Sequence, residues 1–157
     1  MTSSRRLSPV LRRLRPWVVG WFTFQAAVAL LGFLTAWRKN EGDESSMSIR
    51  RVVTHNGLEL HPRNPALSRV RVDLAMAGGE IDLTGLPRSS GGIDLTARVL
   101  MGGMAVRVPS DWRVWWRFRG VGGMGGDGAV ERTRDEHAAD LRIHAVALLG
   151  GIGVEAG

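Results

Sequence analysis

The sequence predicts a mainly β domain built as a solenoid, preceded by one amino-terminal transmembrane helix. Three observations lead to this fold class. Residues 17–37 form a stretch of 21 residues without a charge. Four copies of one glycine-containing pattern follow at steps of 25, 23 and 25 residues. Within each copy, apolar and polar residues alternate with a period of two, which is typical of a β-strand with one buried face.

The amino-terminal segment is predicted to be a basic tail followed by a membrane span. The tail, residues 1–16, contains five arginines. As a helix, the uncharged residues 17–37 would extend about 30 Å, which matches the hydrocarbon core of a bilayer. Membrane helices favour tryptophan near their ends. Tryptophans lie near both ends of this segment, at Trp17, Trp21 and Trp37.

Two alternatives for residues 17–37 are a cleaved signal peptide and a buried helix of a soluble domain. Cleavage requires small residues after the apolar run, whereas the candidate Leu34-Thr35-Ala36 carries a leucine. Five arginines before the span, against four basic residues soon after it, favour a cytoplasmic amino terminus and an extracytoplasmic body. The sequence therefore predicts a single-pass protein of the cell membrane, in which residues 38–48 form a solvated linker.

The body, residues 49–157, contains the four copies. Their leading residues and glycines are Met76-Ala77-Gly78, Met101-Gly102-Gly103, Met124-Gly125-Gly126 and Leu149-Gly150-Gly151. Counting back in steps of two from each leading residue gives mostly apolar side chains, which are predicted to face a core. Examples of these inward positions are Leu74, Val99, Phe118 and Ile143. The residues five and seven places before each leading residue are polar and are predicted to face solvent: Arg71, Arg69, Thr96, Asp94, Arg119, Arg117, His144 and Arg142.

The glycines of each copy predict a corner between two strands, because glycine reaches positive φ and allows a neighbouring backbone to approach closely. A nearly constant step between copies favours stacked coils, and a β-sandwich or barrel is the alternative. Before the first copy, His55-Asn56-Gly57 predicts a β-hairpin within residues 49–60 that caps the first coil. Residues 127–140 are polar and charged and are predicted to form a surface loop.

Composition and charge exclude several classes of function. The chain has no cysteine, which removes disulfides, thiolate metal sites and cysteine nucleophiles. The net charge is +6, of which residues 1–45 contribute +4 and residues 46–157 only +2. A body so close to neutral is not expected to carry the continuous positive stripe that binds phosphates. Nucleic acid is therefore not an expected partner.

No catalytic, cofactor-binding or metal-ligating residue is predicted. Residues 120–125 formally match the dinucleotide-binding GxGxxG pattern, but no helix pattern follows them and the repeat explains the same glycines. The contact candidates are Trp115, Arg117 and Arg119. The alternation places Trp116 inside and Trp115 outside, where a tryptophan between arginines would contact a partner or lipid headgroups. Packing of Trp115 against a neighbouring loop is the alternative.

Three segments of the body, GGEIDL, ARVLMGGMAVRVPSDWRV and ALLGGIGVE, combine glycine pairs with alternating strands. The second segment leaves its coil through Val108-Pro109-Ser110-Asp111-Trp112. On these residues, the stretch 66–157 resembles the carboxyl-terminal domain of LiaF-like proteins, the cell-wall-active antibiotic response family, also described as toastrack domains.

The resemblance implies a right-handed β-helix-like fold and a regulatory part in envelope stress signalling through a membrane-bound sensor kinase. It implies no catalytic residues. Two features depart from the family. Members in firmicutes have several membrane helices where this chain offers one, and the third copy continues as GGDGAV where a bulkier apolar residue is expected after the glycines. The second departure predicts a loosely packed third coil.

The sequence as a whole favours a membrane-anchored interaction module without enzymatic activity, which regulates or senses cell-envelope stress. The core and the span are expected to account for every large apolar set. The expected partners are the lipid bilayer, a membrane sensor kinase or other envelope protein, and a second copy of the chain. One alternative is a structural, filament-forming envelope protein. Another is a ligand-binding or hydrolytic protein with a site on the 127–140 loop, at Asp135, Glu136 and His137.

Overall fold

The computed structural model describes residues 40–157, which form one mainly parallel β-sheet of eight strands. The strands are β1 (Ser48–Thr54), β2 (Leu58–Leu60), β3 (Arg69–Ala75), β4 (Gly78–Asp82), β5 (Ile93–Val108), β6 (Arg113–Gly126), β7 (Glu131–Arg132) and β8 (Leu141–Ala156). The predicted β-rich character is confirmed. Within this range no helix has the length and apolarity needed to cross a bilayer. The predicted tail and span, residues 1–37, lie outside the described residues.

Each copy of the pattern consists of a first arm, a corner at the small residues, and a second arm. The first copy is formed by β3 and β4, while β5, β6 and β8 each contain both arms in one bent strand. Neighbouring copies pair in parallel, with Gly102 and Gly103 of β5 opposite Gly150 and Gly151 of β8. The pairing of β6 with β8 shifts register by one residue between Val121 and Gly122. The alternation therefore predicted the two arms correctly.

An additional copy precedes the four, and the predicted hairpin in residues 49–60 is wrong. β1 pairs in parallel with β3, and β2 pairs in parallel with β4, so the two strands do not pair with each other. His55 forms the corner between them with a φ of 66°, close to the 51° of Met76 in the next copy. Turn-prone residues such as Asn56-Gly57 suit a corner as well as a hairpin, and pairing with β3 and β4 satisfies the same backbone groups.

The order of the copies differs from stacking along the chain. Across the sheet the order is β1-β3-β5-β8-β6-β7, so the fourth copy, β8, lies between the second and the third. The first arm of β8 buries four apolar side chains, whereas β6 is largely exposed and rich in glycine. A central copy packs against a neighbouring copy on each side, and the apolar first arm of β8 suits that position. The glycine-rich β6 has fewer large side chains to pack and lies at the end, where it has one neighbouring copy.

The third copy also has a different register from the one predicted. Gly122 pairs with Gly150, so the corner of β6 lies at Gly122. Met124, predicted to lead into the corner, lies on the second arm opposite Ile152. Spacing alone misplaced the corner because a glycine pair recurs three residues later in this strand. Ala129, within the predicted surface loop 127–140, is in an exposed turn.

The core fills the bend between the arms with every second side chain. Val99 and Ile143, predicted to face inward, are buried, and Phe118 of the end copy packs partly buried against the same cluster. Burial stabilises the fold by about 1.5–3 kcal/mol for each large aliphatic side chain. Trp112 is also buried in this core, in the turn after β5, where its backbone N–H donates to the Pro109 carbonyl.

The corners of neighbouring copies stack directly on one another. A Cβ added to Gly102 would overlap the carbonyl oxygen of Ala77 in the preceding copy. A Cβ at Gly150 would contact the carbonyl oxygen of Gly102, and one at Gly122 would overlap that of Gly150. The backbones approach too closely for a side chain at these positions, which is the reason for glycine there.

Residues 40–48, part of the linker predicted at residues 38–48, are exposed or half-buried and are also hydrogen-bonded to the sheet. The backbones of Glu41 and Arg50 exchange two hydrogen bonds, of 3.1 and 2.8 Å, in an antiparallel bridge. Asn40 Oδ1 accepts a further hydrogen bond from the Val52 N–H at 2.8 Å. The segment therefore covers part of the outer edge of β1, which would otherwise be free to pair.

The turn that follows, residues 43–46, is held by Asp43. Its Oδ1 accepts hydrogen bonds from the hydroxyls of Ser45 at 2.6 Å and Ser46 at 2.9 Å. These hydrogen bonds hold the pKa of the Asp43 carboxyl below its ordinary value. Because the folded-state pKa is lowered, the stabilisation is present at neutral pH and is lost as the pH falls through that lowered value.

We expect Gly102→Ala to destabilise the fold and the neighbouring Gly103→Ala to leave it nearly unchanged. The first methyl group would overlap the Ala77 carbonyl oxygen, whereas the second would lie 3.9 Å from that of Gly151. The expected loss of unfolding free energy is about 2 kcal/mol or more for the first variant and below about 0.5 kcal/mol for the second. Thermal unfolding followed by circular dichroism measures both, and equal midpoints would contradict the stacked-corner packing.

Candidate interaction surface

The two outer faces of the bent sheet carry opposite charge. Strand register places eight arginines and three acids on the outward side of the first arms, called the basic face below: Arg50, Arg69, Arg71, Arg98, Arg113, Arg117, Arg119, Arg142, Asp73, Asp94 and Glu131. The outward charged residues of the second arms are Glu59, Glu80, Asp82, Glu155 and Arg107. Eight arginines against three acids give the basic face a net charge of +5, and four acids against one arginine give the opposite face −3.

This segregation corrects the expectation that the body lacks a positive surface. The net charge of residues 46–157 is close to zero because positive and negative surfaces cancel when charges are summed along the chain. In a strand, successive side chains face opposite sides, so the charges separate by position within each copy. Side chains at equivalent positions of neighbouring strands then lie about 4.8 Å apart and form continuous rows.

A ridge of exposed apolar side chains runs along the corner edge of the basic face. Its members, called the corner ridge below, are Leu100, Met101, Val121, Val146, Leu148 and Leu149. Leu148 of β8 pairs with Leu100 of β5 on one side and with Val121 of β6 on the other, so the ridge crosses three copies. The six side chains are 44% to 63% exposed. A contiguous set of this kind differs from the scattered apolar residues of ordinary surfaces, which makes the ridge the candidate binding surface.

Two ridge residues occupy positions where neither the backbone nor the core requires a large apolar side chain. Met101 and Leu149 have φ angles of 55° and 58°, in the left-handed region that favours glycine and asparagine. Both are exposed, Met101 at 51% and Leu149 at 63%, so burial does not compensate for the strain. Strained backbone at an exposed apolar residue points to a role outside folding.

Behind the ridge, the basic face is arranged in two rows across the strands. The nearer row, which includes the ridge residue Val146, is Val52, Asp73, Arg98, Val146 and Arg119. The next row is Arg50, Arg71, Thr96, His144 and Arg117. Arg50 and Arg71 are direct neighbours, and the buried Nε of each has no hydrogen-bond partner in the described part of the chain. Arg98 makes only a long ion pair of 3.9 Å with Asp73. The face therefore holds guanidinium groups whose hydrogen-bonding capacity the fold does not use.

The predicted contact residues Trp115, Arg117 and Arg119 all lie on the first arm of β6. The prediction that Trp115 is exposed is wrong. Its side chain is 9% exposed, and its ring packs edge-on against His144 with the centroids 5.3 Å apart. The loop between β6 and β8 is hydrogen-bonded next to it, with the backbone N–H of Thr133 donating to the Val114 carbonyl, and Thr133 lines the same cleft as Trp115. Arg117 and Arg119 are exposed, and neither forms an ion pair within residues 40–157.

The cleft beside Trp115 has a volume of about 480 Å³ and is also lined by Trp116, Arg132 and Arg134. The Arg132 guanidinium lies 4.3 Å from the Trp116 ring centroid, in a cation–π contact. The Arg117 guanidinium lies 5.5 Å from the Trp115 ring centroid. These contacts occupy both tryptophans with the chain's own arginines. The cleft therefore offers positive charge to a ligand rather than free aromatic surface.

The alternative site on the 127–140 loop does not converge on one point. Asp135 Oδ1 accepts a hydrogen bond of 2.9 Å from the backbone N–H of His137. Glu136 Oε1 instead lies 3.8 Å from Nε2 of His144 on β8. Among the described residues, no cluster of three acidic or histidine side chains is placed to hold a metal ion. The contacts of these side chains hold the loop together and fix it to the sheet.

Sequence reasoning missed the corner ridge and wrongly assigned every large apolar set to the core or the span. Leu100 and Leu148 lie one residue before their leading residues, and Val146 lies three residues before. Positions one and three residues before a leading residue face the same side of the strand as the polar positions five and seven residues before it. Side chains at all four positions therefore face outward. Apolar residues at outward positions beside a corner were therefore the signal available in the sequence.

The described residues thus define a parallel β domain with a basic face, an acidic face and an apolar ridge at the corner between its arms. Comparisons with protein-family models, curated proteins and solved structures give no match to this chain. The functional assignment therefore depends on the chemistry of the surface.

We expect Leu149→Asn to leave the fold at least as stable, with a gain of up to about 1 kcal/mol, because asparagine accepts the left-handed conformation more readily. Leu95→Ala, at a buried position of the same sheet, should cost about 2–5 kcal/mol. Unfolding in denaturant measures both variants. A loss at residue 149 as large as that at residue 95 would show that the ridge is packed and would contradict its assignment as a free surface.

Proposed function

We propose that this chain is a membrane-anchored, non-enzymatic interaction module whose working surface is the basic face with its corner ridge. The observation that carries the proposal is the ridge itself, six exposed apolar side chains beside a well-packed core. Such a surface binds by burying apolar area, while the neighbouring arginines supply orientation and charge selectivity. Residues 17–37 provide the anchor, and the body lies outside the cytoplasm.

The proposed fold type is a right-handed β-helix-like domain of the toastrack class, as the resemblance to LiaF-like proteins implies. Parallel pairing of bent copies supports a solenoid. The position of β8 between β5 and β6 is a departure from a simple coil. On the same resemblance, the biological role is regulation or sensing of cell-envelope stress, together with a membrane sensor kinase or another envelope protein.

A filament of copies is a weaker candidate than a module with one binding surface. An open polymer needs two free, complementary ends. At one end of the described sheet, residues 40 and 41 lie along β1, and at the other end β7 pairs only with Arg113 and Val114 of β6. The rest of the β6 edge is available to a second copy, which favours a dimer over a filament.

The proposal predicts that the corner ridge is required for the response to envelope stress. The gene is deleted in its source organism, and the transcriptional response to a cell-wall antibiotic is measured after complementation. We expect the unaltered chain to restore the response and a Leu148→Ser, Leu149→Asn double variant to leave it at the level of the deletion. The reason is that this variant keeps the core and loses apolar binding surface.

Equal amounts of each protein in the membrane fraction are the first control, and Ser110→Ala in an exposed turn is the matched variant that should restore the response. The triple variant Asp135→Ala, Glu136→Ala, His137→Ala should also restore it. Loss of a measurable activity in that triple variant, with the fold intact, would instead support the hydrolytic or ligand-binding alternative. A normal response with the ridge variant would contradict the proposal, as would an unchanged response in the deletion strain.

A further inference from the structure

We propose that the corner ridge and the basic face dock onto a bilayer surface containing anionic lipid, with the ridge at the boundary between headgroups and acyl chains. This inference rests on the proposed function and identifies what the working surface binds. Three observations carry it: the apolar ridge, the position of the arginines behind the ridge, and the place where the chain enters the fold.

The ridge has the composition of an element that inserts into a membrane interface. Leu100, Leu148 and Val121 form a line across three strands at about 4.8 Å per strand. Met101 and Leu149 lie at the corners themselves, where the chain turns between its arms. Amphipathic elements on bilayers bury their apolar side about 5–10 Å into the headgroup and acyl boundary and keep cationic side chains above it.

The arginines lie at the right height above such an insertion. Arg98 and Arg119 precede Leu100 and Val121 by two residues, a separation of about 7 Å along the strand. The headgroup layer on one side of a bilayer is about 5–7 Å thick. These two arginines would therefore reach lipid phosphates. The next row, about 7 Å further away, stays within the negative potential that extends about 8–10 Å from an anionic surface.

The chain enters the described fold toward the corner side of β1, two strands from β5, where the ridge begins. Asn40 accepts the hydrogen bond from Val52, three residues before the corner residue His55, and the chain then runs antiparallel to β1, away from that corner. Asn40 follows the end of the uncharged segment 17–37 by three residues. A span that ends so close to this point brings the corner side of the domain, rather than the far ends of its arms, to the bilayer.

Other occupants match only part of the surface. Two copies meeting ridge to ridge would bring two faces of like charge together, which opposes association. Residues 17–37 could cover the ridge, but they carry no charge and leave the arginines without partners. A nucleic acid would bind the arginines and leave the ridge in water. An anionic bilayer matches the apolar side chains and the positive charge together.

The absence of cysteine allows a site-specific test, because a single introduced cysteine can carry a polarity-sensitive NBD fluorophore. The full chain is reconstituted into phosphatidylcholine vesicles with or without phosphatidylglycerol, labelled at Leu149→Cys or, as the control, at Ser110→Cys. We expect the residue 149 label to shift to the blue and to be quenched by brominated acyl chains. Both effects should be stronger with phosphatidylglycerol and weaker in high salt, and the residue 110 label should show neither.

Charge variants test the second half of the surface. Arg119→Gln, on the basic face, is expected to reduce the dependence of the residue 149 label on phosphatidylglycerol. Arg107→Gln removes the same charge from the opposite face and is expected to leave that dependence unchanged. Equal effects of the two variants would show that net charge, rather than a facing surface, governs binding and would overturn the proposal.

Two further results would overturn it. One is a residue 149 label that remains in water in both lipid mixtures. The other is a label that is shielded but not quenched by brominated lipid, which would identify a second copy or a segment of protein as the cover. Failure of the proposed function is separate from these outcomes, because it is detected as a stress response that does not depend on the ridge.

Discussion

The stacking of corner backbones is the constraint on which the rest of the structure depends. Each corner lies against the carbonyl oxygen of its neighbour, through the series Ala77, Gly102, Gly150 and Gly122. This contact fixes the register between copies at the corner, and parallel pairing carries it along both arms, with a shift of one residue between Val121 and Gly122 where β6 pairs with β8. Side chains that are tens of residues apart in sequence are thereby aligned in rows. The apolar ridge and the rows of arginines are consequences of that alignment, since none of these residues is adjacent to the next in the chain.

The central position of β8 determines how the end of the sheet is built. Because β8 lies between β5 and β6, the chain must return over the end copy before it enters the sheet again. The 127–140 loop makes this return, with Thr133 donating to the Val114 carbonyl and Asp140 to that of Arg113. The crossing runs beside the buried Trp115, and Arg117 and Arg119 further along β6 are exposed. A tryptophan that the alternation placed in solvent is therefore part of the packing, against His144 of β8.

The sequence predicted what depends on local pattern. Within an arm, every second residue faces the core, so Val99 and Ile143 could be assigned to the core. At a corner, the close approach of two backbones requires glycine, so the bends could be placed at Gly102 and Gly150. Strand order could not be predicted in the same way, because parallel copies with similar inward residues accept one another as neighbours and the choice depends on non-local packing. The charge asymmetry was hidden for a related reason. Arg107 and Arg98 lie on one strand but on opposite outer faces, and only the bend separates them.

The ridge lies on the corner side of the domain, toward which the chain enters, and this position bears on how strong its binding needs to be. In the proposed arrangement, a span ending at residue 37 holds the domain within a few residues of the bilayer, and short tethers of this kind correspond to effective concentrations of about millimolar. At that effective concentration, a contact between ridge and bilayer that is too weak to recruit a free protein is still well populated. A ridge of six half-exposed side chains can supply a contact of this strength. Weak, charge-dependent contact is also reversible. An acidic partner protein would compete for the same arginines as the lipid, so that lipid binding and partner binding exclude each other at one surface.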